Sequence, residues 1–98
     1  MAIQISPKVV EKLKDKHGVD PREVEQCFEN KTGLLLKDTR EDHRSDPPTL
    51  WFIAPTNRNR LLKVCFIQKG PDQHIRTAYP PNQNELKIYR TLACPTDF

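Results

Sequence analysis

Four side chains that could handle a phosphate group and its protons fall within one segment, "IRTAYPPNQNELKIY": Arg76, Tyr79, Glu85 and Tyr89. Together these residue types suggest chemistry on phosphate. A metal-free displacement at phosphorus needs a base for the attacking hydroxyl, an acid for the leaving oxygen and cations for the phosphorane charge. Arg76 and Lys63 suit the cationic role, and the two tyrosines and the glutamate are candidates for proton transfer.

Each of these residues also has an ordinary structural explanation. Arg76 and Lys63 can be solvated residues of a sheet. Tyr89 can anchor a core, and Glu85 can be a favourable charge in the first turn of a helix. The elements that position the side chains therefore decide whether they form a site.

Three segments begin with helix-capping residues. Ser6 before a proline predicts a first helix that ends at Gly18, and Asp20 before a second proline predicts another. We expect these two to form a helical hairpin. Asn82 or Asn84 would cap a final helix. The predicted buried face of that helix holds Leu86, Tyr89 and Leu92.

The middle of the chain reads as strands. "TLWFIAP", "LLKVCFIQ" and "HIRTAYP" are rich in β-branched and aromatic residues and are separated by the turn sequences "TNRNR" and "KGPDQ". They predict an antiparallel β-meander of three to four strands. We expect one α+β domain over all 98 residues, with an N-terminal helical hairpin, the meander and a C-terminal helix.

The turns also predict which strand residues lie opposite each other. If Gln68 pairs with Gln73 across the second turn, Arg76 falls opposite Cys65, and Lys63 shares their face one pleat along. The same reasoning at the first turn adds Trp51 to this face. A ring among cations is what binding an RNA strand would use. The predicted RNA-binding face holds Trp51, Lys63, His74 and Arg76.

Other polar residues are candidates for contacts at the periphery. Arg58 and Arg60, at a hairpin tip, could touch the RNA backbone or only water. Arg40, His43 and Arg44 lie in a loop whose acidic residues nearly cancel their charge, which favours a solvated or partner-binding loop over a phosphate clamp.

The histidines and cysteines do not predict a bound ion. His17 precedes a helix-ending glycine, where it favours the negative end of the helix dipole, with catalysis as the alternative. The histidines lack metal-ligand spacing, so we predict no metal and no other cofactor. Cys27, Cys65 and Cys94 are odd in number and far apart, which is typical of reduced thiols.

Composition limits the classes of partner. The net charge is +3 and the pI is about 8.9, which permits contact with nucleic acid or an acidic protein. No run approaches the ~20 apolar residues that a membrane span needs. We therefore expect a cytoplasmic protein without a membrane partner, and self-association stays open.

The chain resembles a known family at scattered positions: "KHGV" at 16–19, Glu23, Val24, Phe28, "RLLKV", "IR" at 75–76, Ala78, Glu85 and Tyr89. In order and spacing this pattern resembles BrnT-type toxins of the RelE-like ribonuclease superfamily. The resemblance implies helices packed on an antiparallel sheet and a metal-independent endoribonuclease that blocks translation. It also implies a type II toxin–antitoxin system with a cognate antitoxin.

The chain departs from the family pattern at two places. The family tends to place a Glu-x-Arg group where this chain has Pro47-Pro48-Thr49, and two arginines where it has Tyr79-Pro80. An alternative function is a non-catalytic binding module, such as an immunity or antitoxin-like protein that meets a nuclease through residues 38–46.

Overall fold

The computed structural model describes residues 2–38 and 48–96 of the chain. Within them the chain forms helices and a β-sheet, so the α+β class predicted from the sequence is confirmed. The elements in chain order are β1 (Ala2–Gln4), α1 (Pro7–Lys12) continuing into a π-helical turn (Leu13–His17), α2 (Pro21–Asn30), β2 (Leu36–Lys37), β3 (Thr49–Pro55), β4 (Leu61–Lys69), β5 (Asp72–Tyr79) and α3 (Gln83–Ala93).

The strands form one mixed sheet in the order β1-β5-β4-β3-β2. Strands β2 to β5 pair antiparallel, and β1 pairs parallel with β5. The predicted antiparallel meander of three to four strands was therefore incomplete. The two strands at the edges have only three and two residues. Such short strands have too little alternation to be recognised in a sequence.

The helix starts follow the predicted caps. The Ser6 hydroxyl accepts a hydrogen bond from the Val9 backbone at 3.3 Å, and Asp20 caps α2 in a capping box. Asn82, and not Asn84, caps α3, again in a capping box, with Glu85 as its acidic member. Each cap satisfies backbone N–H groups that the helix itself leaves unpaired.

Helices cover both faces of the sheet. Phe28 of α2 packs edge-on against Phe52 and Phe66, with ring centroids 4.8 and 5.3 Å away. Tyr89 of α3 packs against Trp51, 5.6 Å between centroids. Trp51 and Phe52 are adjacent in β3 and so point to opposite faces. The face predicted to bind RNA is thus covered by α3, and Trp51 retains only 8% exposure.

The buried stripe of α3 differs from the predicted one. Tyr89 and Ala93 are buried, whereas Leu92 is 59% exposed. Residues four apart lie nearly above each other on a helix, and Leu92 lies about 100° to the side of Ala93. Leu92 therefore sits beside the packed stripe and borders open space.

A β-bulge corrects the predicted position of Arg76. Ile75 pairs with Phe66, but Cys65 pairs with Thr77, so Arg76 is the extra residue between them. The prediction that Arg76 lies opposite Cys65 was wrong, because it assumed an uninterrupted ladder. Beyond a bulge the alternation of side chains shifts by one residue.

The bulge places Tyr79 on the face of Lys63. The two residues are directly paired across β4 and β5. Without the extra residue, Ala78 would take that position and Tyr79 would point to the α2 face. The irregularity therefore decides which side chain meets Lys63.

Candidate active site at the end of β5

A lysine, a glutamate and a tyrosine meet where β5 ends and α3 begins. Lys63 of β4 donates to Glu85 Oε2 at 2.7 Å, and the Tyr79 hydroxyl donates to the same oxygen at 2.8 Å. Glu85 Oε1 accepts the Asn82 backbone N–H at 3.0 Å. Both carboxylate oxygens thus have partners, and the capping box fixes the carboxylate in place. We call this set the Lys63–Glu85–Tyr79 cluster.

Burial and hydrogen bonding fix the charges of the cluster. Burial alone would lower the pKa of Lys63, but its hydrogen bond to Glu85 and weaker contributions from neighbouring side chains outweigh burial and raise it. Burial alone would raise the pKa of Glu85, but the bonds from Asn82 and Lys63 lower it. Burial and then the bond to Glu85 raise the pKa of Tyr79. At neutral pH the cluster holds an ammonium, a carboxylate and a protonated phenol.

His17 lies beside the cluster at the end of the π-helical turn. Its ring centroid is 5.4 Å from that of Tyr79. Burial first, and then the positive charges of Lys12 and Lys16, lower the pKa of His17 below its usual value of 6.5. The Arg60 guanidinium donates to the His17 carbonyl oxygen at 3.1 Å. The imidazole is therefore neutral at neutral pH and can accept a proton.

Trp51 packs against Lys63 of the cluster, and Tyr89 packs against Trp51. The Lys63 Nζ lies 4.6 Å from the centre of the Trp51 ring, within the range of a cation–π interaction. Tyr89 is fully buried, and its hydroxyl donates to the Leu34 carbonyl oxygen at 2.9 Å. Tyr89, one of the five predicted catalytic residues, therefore has the position of a core anchor.

Arg76 and His74 lie outside the cluster. Arg76 is exposed at the bulge, three residues before Tyr79. His74 pairs with Ile67, four residues along β4 from Lys63, which is about 13 Å of strand. The structure thus brings together three of the predicted catalytic residues, Lys63, Tyr79 and Glu85, and leaves Arg76 outside the cluster.

The two arginines at the hairpin tip that were predicted to bind RNA, Arg58 and Arg60, differ in their contacts. Arg60 donates to both Glu23 carboxylate oxygens, at 3.2 and 3.3 Å, and to the backbone carbonyl oxygen of Gly18. It therefore holds the tip against the start of α2. Arg58 is exposed, and its contact with RNA stays a prediction.

The predicted partner-binding residues Arg40, His43 and Arg44 lie outside the described residues. Within residues 2–38 and 48–96, no group of three His, Cys, Asp or Glu side chains is placed to hold a metal ion.

A cavity of about 430 Å³ opens between α3 and the strands β2 and β3. The sequence did not predict it. Ile88 and Leu92, one helical turn apart, are 47% and 59% exposed on its wall. Two apolar residues four apart outside the buried stripe are the pattern that could have revealed it. The lining residues are Leu36, Lys37, Asp38, Trp51, Lys63, Glu85, Ile88 and Leu92.

No protein-family model matches the chain. No curated protein matches it with significant sequence similarity. Among the described residues, every helix is too short or too polar to cross a lipid bilayer.

Proposed function

We propose that the protein is a metal-independent endoribonuclease with a RelE-like fold and that it acts as the toxin of a toxin–antitoxin pair. The observation that carries the proposal is the position of His17. A neutral imidazole, whose pKa the charges of Lys12 and Lys16 help to lower, lies beside a protonated tyrosine that is hydrogen-bonded to the part-buried Lys63–Glu85 ion pair. These are the base, the cations and the acid that cleavage by the 2′-hydroxyl needs.

In the proposed reaction His17 accepts the proton of the ribose 2′-hydroxyl as that oxygen bonds to phosphorus. Lys12 and Lys16, whose charges act on His17, would face the phosphorane charge. Arg76, exposed three residues before Tyr79, would add a further positive charge. Tyr79 gives its proton to the leaving 5′-oxygen as the phosphorus–oxygen bond breaks. The products are a 2′,3′-cyclic phosphate and a 5′-hydroxyl, and His17 then returns its proton to Tyr79.

The Lys63–Glu85–Tyr79 cluster would position the acid. The bond to Glu85 holds the phenol oxygen of Tyr79 in place, and in the reaction the proton turns from Glu85 to the leaving 5′-oxygen. The positive charge of Lys63 favours the phenolate that forms when the proton leaves. Lys63 and Glu85 are therefore positioning residues in this mechanism.

The test is RNA cleavage by purified His17→Asn protein, with His74→Asn as the matched control. Both histidines are partly exposed, and only His17 lies beside the cluster. We expect His17→Asn to lose on the order of 10²–10⁴-fold in rate. His74 lies outside the cluster, so we expect His74→Asn to cleave saturating RNA at the wild-type rate. We expect wild-type cleavage to continue in EDTA and to leave cyclic phosphate ends.

Wild-type protein that leaves RNA intact would overturn the proposal, and so would His17→Asn that cleaves at the wild-type rate. The toxin role has its own test. Expression without a partner should arrest growth, and His17→Asn expressed at the same soluble level should not. Healthy growth at high soluble expression of wild type would contradict that role.

A further inference from the structure

We propose that the cavity between α3 and β2–β3 binds one nucleobase of the RNA, as an uncharged planar ring whose carbonyl oxygen accepts a hydrogen bond from Lys63. This inference rests on the proposed function in taking RNA as the source of the ring. Its own support is the shape of the cavity, the charges of its described lining residues and the remaining N–H donor of Lys63.

The shape and walls of the cavity suit a flat apolar ring. At about 430 Å³ it falls in the size range of small-molecule sites. Ile88 and Leu92 form one wall and Leu36 another, with Trp51 at the base. Aliphatic walls on either side of a ring exclude water from its faces, which favours a heteroaromatic group over a sugar.

Among the described residues, both signs of charge line the cavity. Lys37 and Lys63 lie in the same lining as Asp38 and Glu85. A phosphate beside the Glu85 carboxylate would lose hydration and meet a like charge. The described lining therefore favours a neutral occupant.

Lys63 supplies the specific contact. An ammonium group has three N–H donors. Glu85 accepts one of them at 2.7 Å and the Tyr79 hydroxyl is a second partner, which leaves one donor for a ligand. The side chain is 6% exposed, so water reaches it poorly. A hydrogen bond from a buried cation to a carbonyl oxygen is stronger than one between neutral groups. Uracil and guanine offer a ring carbonyl, and adenine has none.

Glu85 ties this cavity to the proposed site of cleavage. It lines the cavity and also accepts the hydrogen bond that the Tyr79 hydroxyl donates. A base held against α3 would therefore lie next to the phosphate that is cut, and the cavity would set the base preference of cleavage.

Fluorescence titration tests the inference directly, because Trp51 is the single tryptophan of the chain and lines the cavity. We expect uridine and guanosine to change its emission and adenosine to bind on the order of tenfold more weakly or worse. Leu92→Ala should weaken uridine binding on the order of tenfold. The matched control is Leu34→Ala, an exposed leucine outside the lining, which should bind as wild type.

Equal binding of all three nucleosides would overturn the inference, and so would wild-type binding by Leu92→Ala. Leu92 is on the surface, and circular dichroism checks that the variant is folded; Ile88→Ala repeats the test on the same wall. His17 does not line the cavity, so His17→Asn should still bind uridine. Nucleoside binding without RNA cleavage would reject the proposed function alone, and cleavage without selective binding would reject this inference alone.

Discussion

Replacing Lys63 with Met should destabilise the protein strongly, because it leaves a carboxylate without its cation. The side chains of Lys63 and Glu85 are 6% and 16% exposed, so water compensates little. Removing one partner of a buried pair costs about 3–5 kcal/mol. Glu85 keeps its bonds from Tyr79 and Asn82, which places the expected loss in the free energy of unfolding near the lower value, about 3 kcal/mol. The corresponding fall in Tm is roughly 12–24 °C for a domain of this size.

The double variant Lys63→Met/Glu85→Gln separates the ion pair from simple packing. Gln at position 85 retains the capping box, and neither residue then carries a charge. We expect the double variant to be more stable than the sum of the single losses by about 1–3 kcal/mol.

Urea unfolding of the four proteins measures this coupling. Lys87→Met, on the exposed side of α3, is the control and should stay within about 0.5 kcal/mol of wild type. The reasoning fails if Lys63→Met unfolds like wild type, or if the two single losses add up to the loss of the double variant.

Three further predictions concern packing, pH and thiol reactivity. Gly33→Ala should lower the free energy of unfolding by about 1–3 kcal/mol, since a Cβ there would lie 2.6 Å from the Tyr89 hydroxyl oxygen; unchanged thermal unfolding would contradict this. The pKa of Glu85 is lowered on folding, so its stabilising contribution is complete above its usual pKa of 4.5 and is lost as the pH falls through the folded-state pKa. Glu85→Gln should therefore flatten the acid side of the stability profile between pH 2 and 6, and a slope equal to that of wild type would refute the assignment. In the native protein one thiol, that of the exposed Cys94, should react quickly with Ellman's reagent. Cys65 is buried, and burial first, then the charge of Glu23, raises the pKa of Cys27 to about 12. Three fast-reacting thiols would contradict this prediction.

The helix caps were predictable because capping is local. Ser6, Asp20 and Asn82 each act on backbone groups within three residues, so the sequence alone contains the whole interaction. The pairing of Trp51 with Cys65 also followed from a turn of known length. Local geometry was sufficient in each case.

The bulge and the covering of the sheet were not predicted from the sequence, for different reasons. Ile75 and Ala78 pair with Phe66 and Val64 on one face of the sheet although they are three residues apart. In an uninterrupted strand such residues point to opposite faces, so two apolar residues at this odd spacing are consistent with a bulge. The position of α3 over Trp51 and Lys63 depends on contacts between distant segments, which no local pattern specifies. His17 meets Tyr79 for the same reason, across 62 positions of sequence.

The parallel pairing of β1 with β5 constrains the order in which the molecule can assemble. Ala2–Gln4 pair with Asp72–His74, about 70 residues later in the chain. Closing so long a loop costs conformational entropy, and a three-residue strand forms only a few hydrogen bonds to offset that cost. Among the five described strands, β1 is synthesised first and its partner strand last. We therefore expect β1 to dock after the β3–β4–β5 hairpins have formed and its amide protons to exchange with solvent faster than those of the central strands.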